Sequence, residues 1–181
     1  MKSTYFVRCG LAVAIALLSG CSLFHFHRSP HPAAHVTGNV SVAPVSDFVY
    51  LPAVKGHVSE NRIANTAVSG IVMKSNINAA VHQAVLRDLN GVGVHTGSEK
   101  RVLSATIVTF VVDDIHAPAI WTLKMRYVVT DVPSQQVIYE STRTVEREAA
   151  KFTNTTLALD DIVKLSINEL VADSAFIKAI N

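Results

Sequence analysis

The sequence predicts an α+β domain with a mainly antiparallel sheet of about four strands, in the order strand, helix, three-strand meander, helix, and with the helices packed on one face. Three observations carry this. From Ile120 to Asp131 the chain alternates, with Trp121, Leu123, Met125, Tyr127 and Val129 on one side and Thr122, Lys124, Arg126 and Thr130 on the other. Such a two-residue period marks an antiparallel strand with one buried and one wetter face. Two other stretches, around 77–89 and 159–170, repeat apolar residues at three- and four-residue spacings, the period of a helix that buries one side.

In chain order, Asp47-Phe48-Val49-Tyr50-Leu51-Pro52 is a short apolar and aromatic run closed by proline, expected as the first strand. Residues 55 to 72 are broken by Gly56, Asn61, Asn65 and Gly70 and are expected as loop. A helix follows on Ile77, Ala80, Val81, Ala84, Val85 and Leu89, with Ser75 or Asn76 to cap it and Gly91 to stop it. His82 and Arg87 fall on or near its solvated side. The glycines of 91–97 lack the Gly-Lys-Ser/Thr that ends a phosphate-binding loop, and a helix rather than a strand precedes them, so they read as a turn. Arg101 to Asp113, rich in Val, Ile, Thr and Phe, opens the meander, and Pro133-Ser134-Gln135-Gln136 turns the second strand into a third over Val137 to about Arg147. Val137, Tyr139 and Val145 mark the apolar side of that third strand. Leu159, Ile162, Val163, Ser166, Ile167 and Leu170 line a covering helix, capped by Thr155 or Thr156, and Asp173 starts a last turn carrying Ala175, Phe176, Ile177 and Ile180.

Ahead of the domain, residues 1–20 have the parts of an export signal. Lys2 and Arg8 precede the apolar run Leu11 to Leu18, and small residues lead to Cys21. That run is far short of the ~20 residues a membrane-spanning helix needs. Leu18-Ser19-Gly20-Cys21 resembles the lipobox of bacterial lipoproteins, which implies cleavage before Cys21 and acylation of its thiol. The chain has 16 Lys plus Arg against 14 Asp plus Glu, and both Lys2 and Arg8 leave with the signal, so the mature chain is formally neutral. Nucleic acid is therefore not an expected partner. Cys9 also leaves and Cys21 is acylated, which removes disulfides and thiol catalysis from the domain. The expected organisation is a signal peptide over 1–20, a flexible His- and Pro-containing tether over 21–45, and a single periplasmic domain over 46–181. Leu23, Phe24 and Phe26 of the tether are close enough to the anchor to dip into the headgroup region. His25, His27, His31 and His35 could form a weak site for a transition metal, although no carboxylate or cysteine completes a strong ligand set.

The meander entry Val102-Leu103-Ser104-Ala105-Thr106-Ile107-Val108, together with Asp160-Asp161-Ile162-Val163 through Leu170 to Phe176-Ile177, is similar to the YajG-type group of small outer-membrane lipoproteins. The resemblance implies a binding or assembly module without catalytic residues. Auxiliary lipoproteins of envelope lipid-transport (ABC-type) systems have a similar layout, with a Trp-x-Leu like Trp121-Thr122-Leu123 in a comparable strand. Ser22 after the lipidated cysteine resembles an outer-membrane address. Asp113, Asp114 and His116 could hold a cation but are ordinary residues for the connection they occupy. Trp121 and Tyr127 could line a ligand groove, although such residues are more often core. The wetter face of the meander, with Lys124, Arg126 and Arg143, is the expected partner surface. The reading is thus a non-enzymatic, lipid-anchored envelope lipoprotein without a cofactor. It is held in the outer membrane by Cys21, faces the periplasm and binds an envelope protein. A transport-auxiliary subunit is the alternative, and an enzyme on cell-wall or lipid substrates is a third possibility with no nominated residues.

Overall fold

A computed structural model describes residues 36–151 and 153–181. The expected signal peptide, Cys21 and the four histidines of the expected tether lie outside the described residues. The domain is α+β, with four helices and a seven-stranded mixed sheet in place of the four mainly antiparallel strands expected. Three long strands form the predicted meander: β5 (Arg101–Asp113), β6 (Ala119–Asp131) and β7 (Gln136–Ala149). At about 3.3 Å per residue each runs roughly 43 Å.

The additional strands are short and mostly parallel. With β6 holding one edge of β5, the other edge is paired end to end by three pieces of preceding chain. These are β1 (Ser41–Val42) against Val102–Leu103, β2 (Phe48–Tyr50) against Ala105–Ile107, and β3 (Arg62–Asn65) against Val111–Val112. Proline explains the segmentation, because it cannot donate to a ladder. Pro44 precedes a 3-10 turn at Val45–Asp47, and Pro52 lies in the first turn of α1 (Leu51–Val54). The span 55–72 is therefore not loop throughout: it holds β3 and its antiparallel partner β4 (Ile71–Val72). Segments of two to four residues are too short to show a period, which is why the sequence left them unassigned.

The tether expected to reach residue 45 also stops earlier. Val36 N–H donates to Val92 O, Asn39 N–H to Ile180 O and Val40 N–H to His95 O, and Val40 and Ala43 are buried. Residues 36–45 belong to the domain.

α2 (Ile77–Gly91), α3 (Thr155–Val171) and α4 (Ser174–Ala179) cover one face of the sheet. α2 buries the expected Ile77, Val81, Ala84, Val85 and Leu89. Asn76 is its N-cap residue without a side-chain cap, and the left-handed residue after it is Gly93 rather than Gly91. α3 is capped by Asn154, not Thr155 or Thr156: its Oδ1 accepts from Thr156 N–H at 2.9 Å and Leu157 N–H at 3.2 Å. Against these helices β6 presents Trp121, Leu123, Met125, Tyr127 and Val129, all buried as the alternation predicted. Each such side chain contributes on the order of 1.5–3 kcal/mol on burial.

Two bulges keep the long strands in phase with the core. In β5 the register shifts between Ile107 and Thr109, so the inward series Leu103, Ala105, Ile107 continues as Phe110, Val112. In β7 the shift beside Val129/Thr130 leaves Ile138 unpaired and sets Val137 opposite Thr130 on the open face. Val137, expected on the apolar side with Tyr139 and Val145, is exposed for this reason.

Candidate functional site

The face of the meander away from the helices is open and polar. At its centre Lys124 pairs with Thr109 on β5 and Thr144 on β7, and Arg126 pairs with Thr106 and Thr142. Directly opposed residues on adjacent strands stand with Cβ atoms about 4.5–5.5 Å apart. The two cations are thus flanked by four threonine hydroxyls on a surface paired on both sides, with the β5 bulge at Val108 between the two rows. Arg126 Nε donates to Glu140 Oε1 at 2.8 Å. That hydrogen bond raises the Arg126 pKa and holds the Glu140 carboxyl below its usual range. Both side chains are exposed, so the pair orients a guanidinium more than it stabilises the fold. The threonine rows were not singled out from sequence. Alternation joins Thr142 to Thr144, but Thr106 and Thr109 share a face only because of the β5 bulge, and the rows become one surface only when the registers are known.

Arg143 does not belong to this surface. It lies opposite Met125, on the side facing the helices. There its Nη2 donates to Asp173 Oδ2 and, at 3.3 Å, to the Tyr139 hydroxyl, while Tyr139 Oη–H donates to Asp173 Oδ2 at 2.9 Å. Asp173 also caps α4 by accepting from Ala175 N–H at 2.9 Å. This backbone donor, followed by Tyr139 and Arg143, holds the Asp173 carboxyl below its usual value. Tyr139 meets Phe176 edge-on at 5.4 Å. Arg143 is a clasp between β7 and α4.

Trp121 and Tyr127 are core residues. Trp121 tilts against Phe110 at 6.0 Å. Tyr127 is fully buried and hydrogen-bonds Ser166 at 2.8 Å, with the Met125 sulfur at 3.4 Å. Burial pushes the Tyr127 phenol up strongly. Asp113 accepts from Thr66 Oγ1 at 2.7 Å and Ile115 N–H at 3.2 Å, which makes it a residue that shapes the β5–β6 connection. Among the described residues no three His, Cys, Asp or Glu side chains gather with metal-binding geometry.

His82, expected on a solvated side, is partly buried. Its Nε2–H donates to Ala43 O at 3.0 Å, and its ring meets Phe48 edge-on at 4.8 Å, so it fastens α2 to the start of the sheet. Arg87 is exposed and bridges Asp88 at 3.1 Å and Asp160 at 3.3 Å, linking α2 to α3. Burial raises the Asp88 pKa despite that partner. A shallow groove beside α1 is lined by Phe48, Tyr50, Ala53, Val54, Glu60 and Asn78. Burial pushes the Tyr50 phenol up to about 12, and its hydroxyl donates to Arg62 O at 2.8 Å. The groove therefore holds its aromatic hydroxyl in a structural bond. No helix among the described residues is long and apolar enough to cross a membrane.

No protein-family model and no curated protein sequence matches the chain. Solved structures do. The chain is similar to protein XCC0632 from Xanthomonas campestris, of the DUF330 family, at 16% identity and a TM-score of 0.60, covering 82% of this chain and 91% of that one. That likeness defines a shared fold. Two more distant ones are the hypothetical protein CT253 from Chlamydia trachomatis and a minor lipoprotein from Acinetobacter baumannii. The first has 12% identity and a TM-score of 0.49, covering 80% of this chain and 99% of that one. The second has 10% identity and a TM-score of 0.35, covering 64% and 94%.

Proposed function

We propose that this chain is a non-enzymatic lipoprotein of the cell envelope, acylated at Cys21, whose sheet face around Lys124 and Arg126 binds an envelope protein. The observation that carries the binding role is the juxtaposition of two cations and four threonines on an uncovered, ladder-braced surface. Such a surface suits a polar partner bearing carboxylates or free carbonyls, because it offers charge, hydroxyl donors and little apolar area to desolvate. The non-enzymatic reading is supported by where the most perturbed tyrosines lie. Tyr127 is bonded within the core, and Tyr50, although it lines the groove beside α1, gives its hydroxyl proton to the Arg62 carbonyl.

The narrower placement, a small outer-membrane lipoprotein of the YajG type facing the periplasm, rests on the lipobox, Ser22 and the segments 102–108 and 160–177. Affinity purification of the membrane-extracted chain tests the partner surface. Lys124→Glu with Arg126→Glu is expected to lose a partner that the wild type retains, while Arg143→Gln at the clasp keeps it. An unchanged set of partners in the double variant overturns the assignment. Recovery of a permease or substrate-binding component would narrow the role to the transport-auxiliary alternative.

A further inference from the structure

The pairing registers put several landmarks at one end of the sheet. β5 begins at Arg101, opposite Asp131, and β6 turns there through 132–135 into Gln136. Val132 N–H donates to Lys100 O at 2.8 Å, which ties the hairpin tip to the chain entering β5. The first described residues reach the same end. Ser41 pairs with Val102 in parallel, Asn39 bridges His95, and Val36 bonds Val92 just past α2. The chain leading from Cys21 therefore enters the domain beside the β6–β7 hairpin.

That hairpin exposes three aliphatic side chains around a polar tip of Ser134, Gln135 and Gln136. Val132 is 36% exposed, Val137 57% and Ile138 42%, and Pro133 lies between them in sequence. The β7 bulge creates this exposure, because it leaves Ile138 unpaired and turns Val137 to the open face; bulges commonly re-aim side chains in this way. Two of the nearby carboxylates are engaged, while Glu99 beside Lys100 is exposed. Asp131 accepts from Ser134 N–H at 3.1 Å and Oγ–H at 2.6 Å, and Glu140 is held by Arg126. Lys100 and Arg101 flank the tip. The other end of the sheet differs: Asp113, Asp114, Glu146 and Glu148 outnumber the cations there, since Arg147 is paired with Asp161 and Lys151 donates to Ile115 O, and among the described residues neither glutamate is in an ion pair.

We infer that the β6–β7 hairpin end, through Val132, Val137 and Ile138, rests against the lipid bilayer surface. The inference builds on acylation at Cys21. The fourteen residues 22–35 span at most about 50 Å when fully extended. Seating the acidic end on the membrane would use roughly 43 Å of that, the length of β5, merely to pass along the sheet. The hairpin end needs almost none of it. Three aliphatic side chains suit the interfacial zone of a bilayer, and with Lys100 and Arg101 against Glu99 and Asp131 this end carries no excess of negative charge, whereas the excess carboxylates of the opposite end would be repelled by an anionic surface.

The test uses the full, lipidated chain in vesicles of phosphatidylethanolamine and phosphatidylglycerol containing a headgroup-quencher lipid. A single fluorophore is placed through Ile138→Cys at the hairpin, or Ile115→Cys in the β5–β6 connection. Both positions are exposed aliphatics, so the label replaces no core contact. Quenching at 138 several-fold above that at 115 is the expected result, and Val137→Cys repeats the reading if the label at 138 disturbs the bulge. Equal quenching at both ends of a vesicle-bound chain overturns the orientation while leaving the anchor intact. A parent chain that itself takes the thiol label at Cys21 and stays off the vesicles overturns both.

Discussion

At the residue scale, two contacts show how little freedom the core allows. Ser166 is the one fully buried polar side chain among the described residues, and its hydroxyl has the Tyr127 phenol as partner. Tyr127→Phe leaves Ser166 unpaired in an apolar layer, with an expected cost of about 1–3 kcal/mol in urea unfolding. Ser166→Ala strands the phenol in the same way. The double variant is expected to cost less than the sum of the singles, because neither polar group remains to be desolvated. Gly70 lies at φ +121°, and a Cβ there would come within 2.9 Å of the Ile63 carbonyl oxygen and 2.7 Å of the Arg62 side chain. Gly70→Ala is expected to destabilise the β3–β4 pair by roughly 1–2 kcal/mol, measured by chemical denaturation. Tyr127 was legible in the sequence as core through the alternation of β6. Its partner was not, because the register between α3 and β6 is set by packing that no local pattern encodes.

At the scale of elements, legibility follows length. β6 alternates over 13 residues and α3 keeps a helical period over 17, so both were readable. β1, β3 and β4 have two to four residues and owe their conformation to the free edge of β5 or to each other, a tertiary cause that leaves no local trace. The bulge in β7 accounts for the exposed Val137, since one extra residue reverses the face of everything beyond it. The β7–α4 clasp is the element contact most open to titration. The folded-state pKa of Asp173 lies below the ordinary Asp value of 3.8. Its stabilisation is therefore complete above that value and is lost as pH falls through the depressed one. Asp173→Asn keeps an N-capping side chain but loses the charge. It is expected to be less stable than wild type at pH 7, with the gap closing in unfolding experiments taken below about pH 4. A gap that stays constant down to pH 2 would exclude an electrostatic role.

For the whole molecule, the fold and the address come from different parts of the chain. The domain, with one sheet face under three helices and the other open, is similar in fold to a DUF330 protein at a TM-score of 0.60. A shared fold does not by itself name an activity. The proposed address rests on Cys21, which the sequence marks through the residues before it and which lies outside the described residues. The open sheet face and the hairpin end acquire their proposed meaning from that anchor, because a domain held at a membrane meets its partners in a restricted orientation. Radiolabelled palmitate incorporation, comparing wild type with Cys21→Ser in membrane and soluble fractions, tests this most directly. The account predicts label in the membrane-bound wild type and an unlabelled, soluble Cys21→Ser chain. Equal label in the two, or a wild type that is exported without label, would contradict it.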